Sequence, residues 1–517
     1  MSVHLRGRRF TAHVRRDAAT MRGMTSLWQA TAPRPETDAW APGTRCDVLV
    51  VGAGITGLAT ADALVRRGLD VLVVEARDVG GVSTSRTTGK VSLLQGSTLS
   101  GIRRAAGPEA VRGYLEANRV GMGWWLETVG EGPALQRRDA LTYAITGRGK
   151  ERMLAEWEAS TEAGLPVEAV GAEAMEYAVR PLAVMRLRDQ LQAHPLLAMA
   201  GLIDQVRAGG GRVVEGVRVT GLKAGTPHEV RTDHGPVLAT HVVLATGTPV
   251  LDRGLQFGRL EPQRSYALSY RLPGGAVPQG MYLSLDPHKR SVRSVPVEGE
   301  EVLVVGGNGH PVGREPQARA QVEGLAAWSQ EVFGDAEHLH TWSAQDYRSE
   351  DGIPVVGPLL GDDPTLLCAS GFGKWGMANG AAAALALAGW VTGEVPAWAD
   401  VYERHLPTPG RLTGLARING MVAAHLARGW AGGLASTLPE GAPAEGEGVV
   451  GRDGAQLVGC STWDGQTRRV SAVCTHLGAR LTWNDAEGSW DCPLHGSRFG
   501  ADGSVLEGPA TTPLARR

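Results

Sequence analysis

The chain has 517 residues, and 52 Lys and Arg against 54 Asp and Glu give it a formal charge of −2. That length predicts two or three domains with sizeable cores, and the charge balance gives no reason to expect a polyanionic partner such as nucleic acid. Five cysteines are too few for a disulfide framework and fit a reducing cytoplasm. No apolar run reaches the roughly eighteen residues of a membrane span; 71 glycines beside 5% aromatic residues fit a loop-rich α/β protein.

Residues 1–40 read as an N-terminal extension. The first 23 are Arg-rich, poor in acids and without an apolar segment, which excludes a secretory signal. An organellar presequence and a start codon placed ahead of a natural start at Met24 are both open; the second is the simpler, and disorder is expected to about residue 23.

Asp47-Val48-Leu49-Val50-Val51 is a nearly continuous apolar run, as expected of a parallel strand buried on both faces. It leads into Gly52-Ala53-Gly54-Ile55-Thr56-Gly57, a helical stretch, and a second strand, Val71 to Val74, that ends in Glu75. Gly52 permits the tight turn, Gly54 lets a pyrophosphate reach the backbone, and Gly57 allows close helix–strand packing. Glu75 stands where a carboxylate takes a ribose hydroxyl pair, which favours FAD or NAD over NADP. Residues 100–200 are mostly helical in pattern, and 255–310 alternate as strands do, with Arg264, Tyr266, Tyr270, Tyr282, Arg290 and Arg293 as candidates to line a pocket. The stretch from Glu301 to Trp328 also reads strand, glycine turn, helix, but Pro311 and Pro316 interrupt it and no acid-ended strand follows. It is expected to belong to a substrate domain, not to a second dinucleotide site.

Three further stretches resemble FAD-dependent amine and amino-acid oxidoreductases of the D-amino-acid oxidase-like superfamily: GGVSTSRTTGKVSLLQG after Arg77, HVVLATG ending at Gly247, and ASGFGKWGMANG around Gly371, Gly373 and Gly376. The resemblance implies a Rossmann-like FAD-binding domain within residues 41–428, with nucleotide-binding parts at about 45–100, 200–250 and 350–395, interleaved with an antiparallel-sheet substrate domain. It implies FAD contacts from Gly52, Gly54, Gly57, Glu75, Arg77, Thr84, Gly247, Gly371, Gly373, Gly376 and Met377. Lys374, Trp375 and Tyr282 are the candidate catalytic residues. The QLQAHP segment also occurs in similar proteins, with His194 expected to be structural. The apolar run from Gly380 to Trp390 fits a buried helix.

After a helix at 412–428, residues 429–447 are rich in Gly, Pro, Ala and Glu and read as a flexible linker with a span of roughly 20 Å. Then comes C-x-H at Cys474 and His476, fifteen residues, and C-x-x-H at Cys492 and His495. Cys and His also bind zinc, but zinc sites usually keep like ligands together in each half. Two thiolates and two imidazoles suit a [2Fe–2S] centre with one iron of each kind. The segment resembles the Rieske domain, an all-β unit expected at 448–517. In relatives each ligand loop carries a further cysteine; here those positions hold Ala479 and Leu494, and the implied bridge is absent. Ser497 is at a position that the resemblance assigns to cluster hydrogen bonding, and Phe499 lacks a hydroxyl two residues on. Fewer such bonds predict a potential in the lower half of the Rieske range of roughly −150 to +300 mV.

Taken together, the expected activity is dehydrogenation of an amine or amino acid, with hydride to FAD and electrons passed singly to the cluster and an external acceptor. A peroxide-forming oxidase with a non-catalytic cluster, and a redox-sensing or electron-carrier protein without a small substrate, are the alternatives.

Overall fold

The computed structural model describes residues 24–251, 256–275, 277–361, 363–403 and 408–517; the expectation for residues 1–23 lies outside them. An eight-stranded sheet forms the nucleotide-binding layer. Its order runs Val355–Pro358, Leu366–Ser370, Gly235–Leu244, Arg45–Val51, Val71–Val74, Arg212–Val214, parallel except at the first pair, with the hairpin Val219–Lys223 and His228–Thr232 added antiparallel. Val and Leu dominate its central strands, as sheets covered on both faces require. Helices Ile55–Val65 and Gly376–Thr392 lie together in the core. Their Ala- and Gly-rich surfaces allow this approach: a Cβ on Gly380 would meet the Thr56 hydroxyl.

A nine-stranded sheet faces this layer, in the order Glu337–Ser349, Leu260–Arg271, Glu300–Pro311, Arg290–Val297, Met281–Ser284, Leu135–Ala144, Ala183–Ala193, Lys90–Val91, with Glu168–Val170 also paired to Ala183–Ala193. It is antiparallel apart from the pairing of Met281–Ser284 with Leu135–Ala144. The stretch 301–328 is a strand of this sheet and its outer helix Ala318–Phe333. Residues 100–200 are less helical than their pattern implied, since Leu135–Ala144 and Ala183–Ala193 are long strands.

The linker expectation is corrected. The helix expected at 412–428 runs from Pro409 to Ala435, begun by Pro409 in its first turn and by Thr408 accepting from the Arg411 amide. Gly433 meets Leu457 and Arg480 where a Cβ would crowd, so tertiary packing carries the helix through glycines that propensity alone disfavours. The segment beyond is bonded to the tail, through Leu438 N to Arg452 O at 3.0 Å and Gly446 N to Thr462 O at 2.8 Å. The C-terminal region holds a three-stranded sheet (Gly448–Asp453, Gln456–Trp463, Gln466–Ser471) and a four-stranded one (Thr482–Asn484, Ser489–Asp491, Arg498–Gly500, Val505–Glu507).

Candidate active site and metal centre

The glycine turn is built as its spacing requires. Gly52 has φ +106° and lies against the Ala245 carbonyl, and a Cβ on Gly57 would strike the Gly52 carbonyl. Glu75 is buried with one oxygen accepting from Ala53 N and the other from Arg77 N, both at 3.0 Å. Thr84 Oγ1 accepts from Ile55 N at 3.2 Å. From this turn a cavity of about 790 Å³ extends between the two sheets. Its walls include Gly52, Gly54, Glu75, Arg77, Thr84, Gly247, Gly371, Gly373, Lys374, Trp375, Gly376 and Met377. Gly57 does not reach it; its part is the close packing just described. The combination of a backbone bare of Cβ atoms, an acid at the strand end and a deep cleft fits a dinucleotide.

At the far end the cavity is lined by Lys90, Gln95, Tyr114, Leu283, Lys289, Gly306, Gly307, Asp346 and Arg348, none of which the sequence singled out. Burial, with Arg293 second, pushes the Lys90 ammonium down to about 7, and it donates to the Tyr282 carbonyl at 2.6 Å. Of the six pocket candidates, Tyr266 lines the cavity. Tyr282 points away, its hydroxyl donating to Ala174 O and its ring edge-on to Tyr177. Tyr270 packs edge-on against His338. Arg290 donates to Asn308 and covers Trp328; Arg293 covers Trp28 and donates to Ala193 O. His194 caps the helix Pro195–Ala208, as a structural residue would.

Cys474, His476, Cys492 and His495 come together on two loops with the same backbone pattern. Cys474 N donates to Ala479 O and Gly478 N to Cys474 O; Cys492 N donates to Ser497 O and Gly496 N to Cys492 O. Gly478 and Gly496 take φ of +72° and +79°, which the turn needs. The two thiols hydrogen-bond each other, which draws Cys474 down to about 6 and drives Cys492 well up. The imidazoles stand edge to face, centroids 5.3 Å apart. Among the described residues no three His, Cys, Asp or Glu side chains are arranged around a single ion. The four side chains form instead a thiol pair and an imidazole pair, a donor set that fits a two-iron centre. All five cysteines are free and buried.

Residues 47–390 match the family described as FAD dependent oxidoreductase (DAO), and residues 434–516 match the Rieske [2Fe-2S] domain. The chain belongs to the DAO family of FAD-dependent oxidoreductases. It carries a C-terminal Rieske domain, and its cofactors are FAD and a [2Fe–2S] cluster. The Bacillus subtilis chain named Rieske 2Fe-2S iron-sulfur protein YhfW is 31% identical over 500 residues, 95% of this chain and 96% of that one. Glycine oxidase from Geobacillus kaustophilus has a similar fold, with TM-score 0.57 and 20% identity over 70% of this chain and 100% of that chain. L-Proline dehydrogenase from P. horikoshii gives TM-score 0.57 and 18% identity, over 70% and 98% of the two chains. Among the described residues no helix is long and apolar enough to cross a membrane.

In this DAO-family chain the Rieske domain is seated on the oxidoreductase body. Gln345, in the cavity wall, donates to Gly496 O at 2.8 Å and to Tyr347 OH at 2.9 Å, and Tyr347 donates to Gly508 O. Glu507, Gly508 and Thr511 of the Rieske domain line the same cavity. Phe257 meets His476 and His495 edge-on at 5.1 and 4.7 Å. A Cβ on Gly313 would collide with the Cys492–Pro493 backbone and one on Gly496 with the Pro262 ring, so the junction is too close at both points for a side chain. Arg264, a candidate for the pocket, is fully buried here between Glu487, Glu507 and Ser343. Burial alone would raise the Glu487 carboxyl, yet Arg264 and Arg498 hold it well below the usual carboxylate range.

Proposed function

We propose that the chain is an FAD-dependent dehydrogenase of a small amine or amino acid that discharges through its Rieske domain to an external one-electron acceptor. Glycine oxidase, L-proline dehydrogenase and L-amino acid deaminase, three of its structural neighbours, are named for such substrates. Bound FAD would supply a two-electron acceptor for the hydride on the carbon that bears the amine nitrogen, with the amine proton lost to give an imine, and the cluster would handle electrons one at a time. In this reading Gly52, Gly54, Gly57, Glu75, Arg77, Thr84, Gly247, Gly371, Gly373, Gly376 and Met377 hold FAD, and Cys474, His476, Cys492 and His495 hold the cluster. The far end of the cavity, beside Lys374 and Trp375, receives substrate and shields it from water. Tyr282, whose ring faces away, is not retained as catalytic.

The observation that carries the reading is the shared wall: Gln345 touches both the cavity and the loop of His495, and Rieske residues complete the cavity. A domain kept for sensing alone would not need to form part of the cavity. The test is anaerobic mixing with a panel of amines and amino acids, following flavin bleaching and the cluster's EPR signal together. Bleaching followed by cluster reduction is expected. Bleaching with a cluster that stays oxidised would overturn the relay, and peroxide formed in step with substrate consumed would favour an oxidase.

A further inference from the structure

Lys90, at the far end of the cavity, donates to the Tyr282 carbonyl and is brought down to about 7 by burial; three further cations there bear on the charge of what enters the cavity. Lys289, Arg348 and Lys374 line this space from three separate places: the turn after Met281–Ser284, the end of Glu337–Ser349, and the turn ahead of the helix Gly376–Thr392. They sense one another, since burial first, and then Lys374, Arg348 and Arg152, bring Lys289 down to about 8. Arg348 extends toward Gly101, and the Lys374 ammonium lies beside Gly309. None of the three has a salt bridge among the described residues, whereas the carboxylates around the cavity are engaged elsewhere. Glu75 holds the Ala53 and Arg77 amides, Glu315 accepts from Gln317 N and Gln321, and Glu507 is paired with Arg264 and Arg498. Glu156, behind the wall, accepts from the Leu99 and Ser100 amides. Asp346 is the one cavity acid beside these cations; burial raises its carboxyl, and Lys374 and then, more weakly, Arg348 oppose the rise.

The charge that matches these cations therefore has to come from ligands. FAD supplies its pyrophosphate at the glycine turn, at the other end of the cavity. Lys374, in the turn between Gly373 and Gly376, already has Asp346 nearby, which matches one of the three positive charges. Lys289 and Arg348 remain. Once ligands displace water, an unmatched cation is costly, so a neutral or singly charged substrate would leave at least one of them unsatisfied. A planar guanidinium suits bidentate binding of one carboxylate, and an ammonium serves as a point charge for another.

We infer that the substrate carries two acidic groups, as a dicarboxylic amine or acidic amino acid does, and that Lys289 and Arg348 each bind one of them. This rests on the amine-dehydrogenase reading of the cavity, but its test does not depend on turnover. The full chain with both cofactors is titrated anaerobically with succinate, succinamate, butyrate and methyl phosphate, following the flavin absorbance. None of the four offers an amine to oxidise. Succinate is expected to bind at least tenfold more tightly than succinamate or butyrate. Lys289→Met and Arg348→Met should each abolish most of that preference, with Arg348→Lys restoring part of it; cofactor absorbance verifies that each variant is loaded. Equal binding of succinate and succinamate, a preference that survives both substitutions, or tighter binding of methyl phosphate would each overturn the inference. Failure of every amine to bleach the flavin would instead strike the proposed activity and leave the titration result standing.

Discussion

Replacing Arg264 by Met tests whether the docked Rieske domain is held by charge. Arg264 is supplied by the strand Leu260–Arg271 of the oxidoreductase body, and its partners Glu487 and Glu507 are supplied by the Rieske domain. Arg498 pairs with the same two acids at 2.8 and 2.9 Å and with Asp491 at 2.9 Å, so that part of the network survives inside the domain. Two arginines then balance three carboxylates before the substitution and one balances three after it. Breaking a buried pair by removing one partner costs about 3–5 kcal/mol. A second cavity, of about 340 Å³, lies against Glu487, Arg498 and Glu507 and lets water reach the stranded acids, which favours the lower end of that range. Because Arg264 is the partner from the other side of the junction, the loss should fall mainly on docking: about 3 kcal/mol is a reduction of roughly 150-fold in the docked-to-undocked ratio. Double-mixing stopped flow should show flavin reduction near the parent rate and slowed cluster reduction, and limited proteolysis should cut more readily within 436–447. Glu487→Gln in the same background should cost less than the sum of the two single changes, since they share one interaction. If Arg264→Met left both the cluster-reduction rate and the protease resistance of the parent unchanged, the argument would be wrong.

Gln345→Leu removes the donor to the buried Gly496 carbonyl and one of the two bonds of the Tyr347 hydroxyl, which still donates to Gly508 O, at a cost of about 1–3 kcal/mol; thermal melting should register it, and cluster reduction should slow more than flavin reduction in the same stopped-flow trace. Ser497, whose hydroxyl contacts Cys474 and accepts from Ala510 N at 3.0 Å, should favour the more negative reduced centre. If that bond is worth about 1.5 kcal/mol more to the reduced form, Ser497→Ala lowers the midpoint potential by about 60 mV, from a parent value expected in the lower half of the Rieske range. His194 is brought down to about 4 by burial first and Arg293 second. Its folded value lies below its unfolded one, so the unfolded chain takes up the proton first and stability falls as pH drops from about 6.5 to 4, by up to about 3 kcal/mol. His194→Asn keeps a cap for Leu197 N and should flatten that slope in denaturant titrations at pH 4.5 and 7.

The parts legible in the sequence are those whose constraints are local. Gly52 and Gly57 are fixed by atoms a few residues away or in the next strand, and the ligand loops close through bonds four and five residues along the chain. The pocket wall was illegible because strand parity decides it. Leu283 lines the cavity and its neighbour Tyr282 faces Tyr177; Ser265 lines it and Arg264 turns to the Rieske domain. A one-residue change in register exchanges such faces, and composition carries no sign of it. Lys289 and Arg348 escaped notice for a related reason: most surface cations look the same in a sequence, and only the cavity makes these two convergent. The linker misled because its glycines pack against Leu457 and Arg480, partners about two dozen to fifty residues further along the chain.

The two Cys–His loops differ in their surroundings, and on the proposed relay that difference would give the metal centre a direction. The Cys492–His495 loop is buried against Pro262, Gly313, Arg314 and Gln345, with Arg314 donating to Pro493 O at 2.9 Å. The Cys474–His476 loop reaches the surface, with Thr475 exposed and Leu477 47% exposed at its tip. One loop is thus packed against Gln345 of the cavity wall and the other is turned toward solvent. A centre that only received charge, or only stored it, would gain nothing from this inequality. The proposed relay needs one side held rigidly at the donor and another free to meet a partner, and on that proposal the two loops would divide those tasks between them.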